Sequence, residues 1–239
     1  MTITIAHLFP QLLNLYGDKG NITTLRSRLE RRGIEVEIIE YCPEDTIAYE
    51  KSDIILLGGG SDREQQAVCQ RLLRDRDSLF SYTEDSGVLL ALCGGFPMLG
   101  EQFPVGEETA EGLHLLNITT CQGNNRLIGN VVLESELTGG TIVGFENHST
   151  RTDIGAYAPL GKVMAGHGND GESGWEGVVY KNIIATNLHG PLLPKNPALA
   201  DNILSRALER KYGATVLAPL DDELEKQAHS FIVEHYANK

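Results

Sequence analysis

Continuous apolar runs alternate with amphipathic segments over the first hundred residues of the chain. The apolar runs predict strands at residues 2–8, 35–41, 53–57 and 88–93. Two segments between them, which start at Asn21 and Ser61, have helical periodicity, with Asn21 as a candidate N-cap and Gly33 as the helix stop. Continuous Val/Ile/Leu strands separated by helices indicate a parallel sheet covered on both faces. We therefore predict an α/β fold with a mostly parallel central sheet flanked by helices.

The pattern changes after about Glu111. Short strand-like pieces recur between glycines and predict an added antiparallel region. A glycine-rich loop follows at residues 168–177, and helices are predicted again at residues 196–213 and 221–239. No repeat, low-complexity segment or linker interrupts the chain, so we predict a single domain over residues 1–239.

Composition narrows the possible functions. No apolar run approaches the roughly 18 residues that span a bilayer, and the amino terminus lacks the features of a signal peptide, so a cytoplasmic protein without membrane insertion is expected. The formal net charge of −13 repels phosphate backbones and disfavours nucleic acid as a partner. The four cysteines form no C-x-x-C pair and no zinc-like spacing with histidine, which predicts reduced thiols and no metal site.

A cysteine ends the apolar run VLLALC and is followed by two glycines. A parallel strand that ends in a tight turn before a helix presents its last side chain at the carboxyl edge of the sheet, where α/β proteins bind ligands. We expect the N–H groups of the following helix to favour the Cys93 thiolate, with Pro97 in the first helical turn. A small buried residue at the end of a strand is the alternative interpretation of Cys93.

A thiol nucleophile needs a base and an oxyanion hole. His189 also ends an apolar run and precedes a glycine, which makes it a candidate base; four other histidines stay open, namely His7, His114, His148 and His167. The glycines of LLGGG, residues 56–60, are candidates for the oxyanion hole. A phosphate-binding loop is disfavoured there because no Lys-Ser/Thr pair follows the glycines.

These residues resemble the triad, or class I, glutamine amidotransferases, in the branch that includes cobyric acid synthase. ALCGGFPMLG and the distant LHGP carry the first part of the resemblance. GGGSDREQ and LHGPLLPKNP narrow it to the glutaminase subunits of lipid II isoglutaminyl synthase, and the similarity runs from about residue 7 to residue 212.

The resemblance implies a role for each site residue. Cys93 attacks the side-chain amide of L-glutamine and forms a thioester, and His189 acts as general base and acid. Arg126 binds the substrate, gripping its α-carboxylate with paired donors. The implied oxyanion-hole glycines are Gly58, Gly59 and Gly94.

The resemblance also implies a partner. Ammonia would pass to a MurT-like Mur-ligase subunit in a heterodimer, which would amidate the D-glutamate of lipid II to D-isoglutamine. ATP and Mg would belong to that subunit, and this chain would carry no cofactor. The alternatives are a glutaminase for cobyrinic acid amidation and a non-catalytic binding relative of the same fold.

The chain departs from the family pattern at two places. Phe96-Pro97 replaces the usual Tyr-Gln after the glycines, which puts the affinity for glutamine in doubt. Pro191 stands two residues past His189, where many triad enzymes carry a glutamate. We therefore expect the partner subunit to supply the acid that orients His189.

Overall fold

The computed structural model describes residues 1–213 and 216–237. A six-stranded sheet forms its centre, in the spatial order β11-β12-β4-β3-β1-β2. Its strands are β1 (Thr2–Leu8), β2 (Glu35–Tyr41), β3 (Ile54–Leu57), β4 (Val88–Leu92), β11 (Val178–Tyr180) and β12 (Ile183–Thr186). All neighbouring pairs are parallel except the edge pair β11–β12. The predicted fold class is thereby confirmed.

Helices cover both faces of this sheet, and the central strands β3 and β4 are apolar and buried at every position. One buried cluster joins Ile54, Leu56 and Leu90 to helices α1 (Lys19–Glu30) and α4 (Pro197–Tyr212). The other joins Ile55 and Leu57 to helices α2 (Asp62–Leu73) and α3 (Arg76–Glu84). Burial of apolar surface stabilises the fold by roughly 25 cal/mol per Å², and this sheet buries such surface on both of its faces. The covered sheet is therefore the hydrophobic core.

The start of α1 differs from the prediction. Asp18 is the N-cap residue, and Asn21 lies inside the helix. The Asn21 side chain is buried and accepts the Leu193 N–H at 2.8 Å, so a tertiary contact uses the oxygen that was expected to cap the helix. At α2, by contrast, Ser61 and Glu64 form a reciprocal capping box at the predicted start.

The antiparallel region is a second sheet with the order β10-β9-β7-β8. Its strands are β7 (Thr119–Ser135), β8 (Gly140–Asp153), β9 (Gly161–Ala165) and β10 (Trp175–Glu176), and a separate small hairpin pairs β5 (Gln102–Val105) with β6 (Glu108–Glu111). We call the β7–β8 pair the ribbon. The short pieces predicted within residues 119–135 are one strand, interrupted by a register shift between Gln122 and Leu127.

The tail is helical as predicted. The final helix is α5 (Glu223–Tyr236), and residues 238 and 239 of the predicted segment lie outside the described residues. The buried Arg28 of α1 binds both Asp201 of α4 and Asp222, at 2.7 and 2.6 Å, and so ties the start of α5 to two other helices.

Candidate active site

The predicted elbow forms at the end of β4. Cys93 follows Leu92 directly and has a positive φ of 49°, a strained value for a non-glycine residue. The α-helix expected after it is replaced by two 3₁₀ turns, Cys93–Gly95 and Pro97–Leu99. An α-helix would need Pro97 to donate an N–H to the Cys93 carbonyl, which proline cannot do; Phe96 N–H bonds that carbonyl instead, at 3.0 Å.

Close packing explains the glycines around the sulfur. A Cβ on Gly94 would lie 2.3 Å from the Gln65 side chain, and a Cβ on Gly95 would lie 2.6 Å from a backbone oxygen of β3. A Cβ on Gly59 would lie 2.9 Å from Cys93 Cβ and 3.3 Å from its Sγ. The ends of β3 and β4 therefore pack closely at Cys93, and only glycine fits between them.

The expected thiolate at Cys93 is wrong for this state of the molecule. Burial raises the pKa of the Cys93 thiol to about 12, and the negative charge of Asp18 adds to the increase. The Gly94 N–H and the Arg126 charge favour the thiolate but do not overcome the burial. The short turns after Cys93 supply few N–H donors compared with a full helix, so a base must remove the thiol proton.

The sheet brings His189 to the same edge as Cys93. Strand β12 runs parallel to β4 with Thr186 opposite Leu92, so His189 and Cys93 follow adjacent strand ends. The His189 backbone pairs with Phe145 of the ribbon, donating its N–H at 3.0 Å and accepting at 3.4 Å. This contact clamps the loop after β12 to the ribbon.

Aromatic rings hold the imidazole of His189. Tyr16 stacks on it with ring centroids 3.8 Å apart, and Phe145 meets it edge-on at 5.7 Å. Both ring nitrogens are buried without a hydrogen-bond partner among the described residues, so no hydrogen bond joins His189 to Cys93 here. Burial lowers the pKa of His189 to about 4, and the nearby His148 adds to this effect. The ring is therefore neutral near pH 7, in the form a base requires.

Cys93 and Arg126 line one pocket of about 460 Å³. This volume suits a small polar molecule such as an amino acid. Arg126 is exposed on the ribbon, where its Nε donates to Asn147 Oδ1 at 3.0 Å and its Nη2 donates to the Asn147 carbonyl at 3.1 Å. The structure thus brings the predicted nucleophile and the predicted substrate-binding cation together across a cavity.

A buried carboxylate that the sequence analysis missed lies behind the oxyanion glycines. Asp18 is fully buried, and its Oδ2 accepts the Gly59 N–H at 2.9 Å while Oδ1 has no partner among the described residues. Burial raises the pKa of Asp18 to about 6. The Gly59 N–H is therefore occupied in this state, and the oxyanion roles of Gly58, Gly59 and Gly94 stay predictions.

Of the four alternative histidines, His148 alone lines this pocket in the described part of the chain. Its Nδ1 faces the Thr150 carbonyl at 3.0 Å, and its Nε2 lies 3.5 Å from the buried Glu146. His148 Nδ1 thus faces a backbone carbonyl, while its Nε2, like both ring nitrogens of His189, has no hydrogen-bond partner among the described residues. The role of His189 as the base stays a prediction, which rests on its place after the strand next to β4.

Three further pocket residues were also missed: Tyr16, Gln65 and Asn147. Gln65 donates to the Gly60 carbonyl at 2.6 Å and lies against Gly94. The sequence signal for each was weak, since a single polar or aromatic residue next to a glycine or an acid is common in loops, helices and strands alike.

Residues 1–213 and 216–237 contain no cluster of His, Cys, Asp and Glu side chains able to hold a metal ion. The same residues contain no helix with the length and apolar character needed to cross a bilayer.

The chain matches the family of CobB/CobQ-like glutamine amidotransferase domains over residues 4–197. It is 42% identical over 234 residues to the lipid II isoglutaminyl synthase (glutamine-hydrolyzing) subunit GatD of Staphylococcus aureus (strain N315), covering 97% of this chain and 95% of that protein. It is 37% identical over 239 residues to the subunit of the same name from Streptococcus pneumoniae (strain ATCC BAA-255 / R6), covering 99% and 91%. A cobyric acid synthase of Sphingopyxis alaskensis is 30% identical over 204 residues, but the chain spans only 39% of that protein's length.

Two solved structures share the fold. A structure described as a glutamine amidotransferase superposes with a TM-score of 0.58 at 18% identity, covering 84% of this chain and 98% of the other. The glutaminase domain of Trypanosoma brucei CTPS with bound acivicin superposes with a TM-score of 0.55 at 12% identity, covering 90% and 96%.

Proposed function

The chain belongs to the CobB/CobQ-like glutamine amidotransferases, and from this premise we propose that it is the glutamine-hydrolysing subunit of a lipid II isoglutaminyl synthase. The family resemblance of the sequence is confirmed by these relatives. The proposal for lipid II rests on the two relatives that align over nearly the whole chain. The observation that carries the hydrolytic chemistry is the strained Cys93 elbow opening into the pocket that Arg126 lines.

In the proposed reaction, Cys93 Sγ attacks the side-chain carbonyl carbon of L-glutamine. His189 accepts the thiol proton and then donates a proton to the amide nitrogen, which leaves as ammonia when the carbon–nitrogen bond breaks. Water then attacks the thioester with His189 as base, and glutamate leaves as the thiol is restored. Because the Cys93 thiol is protonated at neutral pH, proton transfer to His189 is an obligatory part of the first step.

Arg126 is proposed to bind the α-carboxylate of glutamine. Its Nη1 has no hydrogen-bond partner among the described residues, while Nε and Nη2 are held by Asn147. A guanidinium that keeps donors free on one side can bind a carboxylate there through paired N–H groups. The oxyanion would be bound by the Gly94 N–H and the Gly58–Gly59 turn, which requires the Gly59 N–H to leave Asp18.

The proposed partner is a Mur-ligase-like subunit that holds ATP and Mg and receives the ammonia. The uncommitted nitrogens of His189 support a further part of this proposal, that the partner supplies the orienting acid. A base whose tautomer is not fixed loses activity strongly. The chain alone would therefore be a weak glutaminase that assembly activates.

The test is a co-expressed pair of this chain and a Mur-ligase-like partner, supplied with lipid II, ATP and L-glutamine labelled with ¹⁵N at the amide. We expect the label in lipid II, loss of transfer in Cys93→Ala, and rescue of that variant by ammonium. Equal glutaminase turnover with and without partner would contradict activation by assembly. Transfer to cobyrinic acid instead of lipid II would support the cobyrinic acid alternative, and failure of a diazo-ketone glutamine mimic to label Cys93 in the pair would support a non-catalytic relative.

A further inference from the structure

A continuous line of contacts connects the substrate-binding arginine to the base. Arg126 donates to the Asn147 side chain and backbone at 3.0 and 3.1 Å. Asn147 Nδ2 donates to the Tyr16 hydroxyl at 3.2 Å. The Tyr16 ring stacks on His189 at 3.8 Å with an interplanar angle of 10°. Three segments of the chain, the ribbon and the loops after β1 and β12, thus meet in one contact path.

Asn147 has a specific position in this path. Its side-chain oxygen accepts a hydrogen bond from Arg126, and its side-chain nitrogen donates one to the Tyr16 hydroxyl, so both polar atoms of the carboxamide are bonded. The Arg126 donor to the carboxamide oxygen fixes the orientation of the amide, since the opposite orientation would place two N–H donors against each other. A turn of the guanidinium towards a carboxylate would therefore move the amide that holds the Tyr16 hydroxyl.

Tyr16 in turn holds the orientation of the His189 imidazole ring. His189 is 2% exposed, and neither ring nitrogen has a hydrogen-bond partner in the part of the chain that the structure describes, so ring contacts with Tyr16 and Phe145 hold the plane of the imidazole. Tyr16 also lines the pocket, whereas His189 is not among the lining residues. Tyr16 therefore contacts both the cavity and the imidazole of the predicted base.

We infer that Tyr16 and Asn147 are positioning residues, through which binding of an amino acid carboxylate to Arg126 reorients His189 towards Cys93. The inference rests on the proposed function, because it needs glutamine at Arg126 and a base at His189. With this coupling, His189 turns towards Cys93 only when the substrate carboxylate is bound at Arg126. Proton transfer from the thiol is thereby limited when the pocket is empty.

The test uses the full chain with Cys93→Ala, in which no turnover occurs, and with ¹⁵N-labelled histidine. L-glutamine is titrated while NMR follows the His189 ring nitrogens, and calorimetry measures binding separately. We expect the His189 signals to shift on binding in this parent. The shift should be lost when Tyr16→Phe is added, although glutamine still binds within about threefold of the parent affinity because Arg126 and its contacts are retained. Asn147→Leu should also lose the shift, with weaker glutamine binding because it removes the side-chain contact to Arg126.

The matched control is Tyr157→Phe. This change also removes a hydroxyl that accepts one N–H at 3.2 Å, from Asn117, but outside the pocket that Cys93 lines. It should leave the His189 response intact. Tyr16→Phe keeps the ring and its stacking area, so it remains informative if Asn147→Leu fails to fold.

Kinetics of the otherwise unmodified chain with its partner give a second readout. Tyr16→Phe should lower kcat about tenfold with KM for glutamine within about twofold, because the lost contact acts on the base and not on the substrate. Adding Asn147→Leu to the Tyr16→Phe chain should not lower kcat further, because both changes interrupt the same line of contacts between Arg126 and His189.

The outcomes separate the two proposals. Absence of glutamine binding to the Cys93→Ala parent would refute the proposed function and the inference with it. Glutamine binding with the same His189 response in the Tyr16→Phe chain would refute only the inference, and so would additive losses of kcat in the double variant.

Discussion

Gly59→Ala tests whether the contact between the ends of β3 and β4 sets the position of the nucleophile. A Cβ at this residue would lie 2.9 Å from Cys93 Cβ, about 0.6 Å inside the ~3.5 Å lower bound of a favourable carbon–carbon contact. It would also lie 3.3 Å from Sγ and from the Gly94 nitrogen. The Gly59 φ is not in the left-handed region, so alanine meets no backbone strain and the effect is steric.

The size of the effect follows from that overlap. Inserting a methyl group into a packed site costs about 1–3 kcal/mol of stability. A misplacement approaching 1 Å at reacting atoms lowers rates by up to about a hundredfold. We therefore expect kcat/KM for glutamine to fall between about tenfold and a hundredfold, with the chain still folded because the whole of the sheet remains intact.

The assay is glutamate release by the chain with its partner, together with urea unfolding followed by circular dichroism. Gly140→Ala is the matched control, since a Cβ there would meet nothing within 4 Å and its φ is also outside the left-handed region. A Gly59→Ala chain whose kcat/KM stays within twofold of the Gly140→Ala chain would refute the claim that this contact positions the sulfur.

Three further predictions follow from other contacts. Because burial raises the pKa of the Cys93 thiol to about 12, alkylation of Cys93 by iodoacetamide in the free chain should rise about tenfold per pH unit from pH 7 to 10; a plateau below pH 9 would contradict this. Arg126→Lys keeps the charge but loses the paired guanidinium donors, so KM for glutamine should rise at least about tenfold. The kcat should also fall, because lysine cannot make the Nε and Nη2 contacts to Asn147; an unchanged KM would exclude the α-carboxylate role. Arg28→Met leaves the buried Asp222 without its cation, while Asp201 keeps Arg32, and should cost about 3–5 kcal/mol in urea unfolding. Arg26→Met breaks an exposed 3.8 Å pair with Glu30 and should cost less than about 0.5 kcal/mol; equal losses would show that the Arg28 ion pairs do not stabilise the fold.

The sheet and the elbow were predictable from the sequence because local pattern determines them. VLLAL is apolar at every position, which only a strand covered on both faces accommodates. The same reasoning placed His189 near Cys93, since parallel strands deliver their ends to one edge. Strand β7 was predicted as separate pieces because Gly123 and its polar neighbours at 122–125 resemble a turn, and the structure has its register shift at that place, between Gln122 and Leu127.

The remaining features of the site depend on contacts that no local pattern reveals. Asp18 binds Gly59 across 41 positions of sequence, and Asn147 reaches Tyr16 across 131. The error at Cys93 has a local cause, because Pro97 at the fourth position after it prevents an α-helical bond and shortens the helix that was expected to stabilise the thiolate. Burial then decides the protonation of the sulfur, and burial depends on the whole fold.

The ribbon has a consequence for how this architecture can diversify. The sulfur and the imidazole belong to ends of the parallel sheet, whereas Arg126 and Asn147 belong to a hairpin joined to that sheet through the Phe145–His189 pairing. Under the proposed function, acyl-transfer chemistry and the selection of the amide donor would thus lie on different pieces of the polypeptide. Exchange of residues 122–148 between homologues would then be a route to a donor other than glutamine that leaves Cys93 and His189 in place.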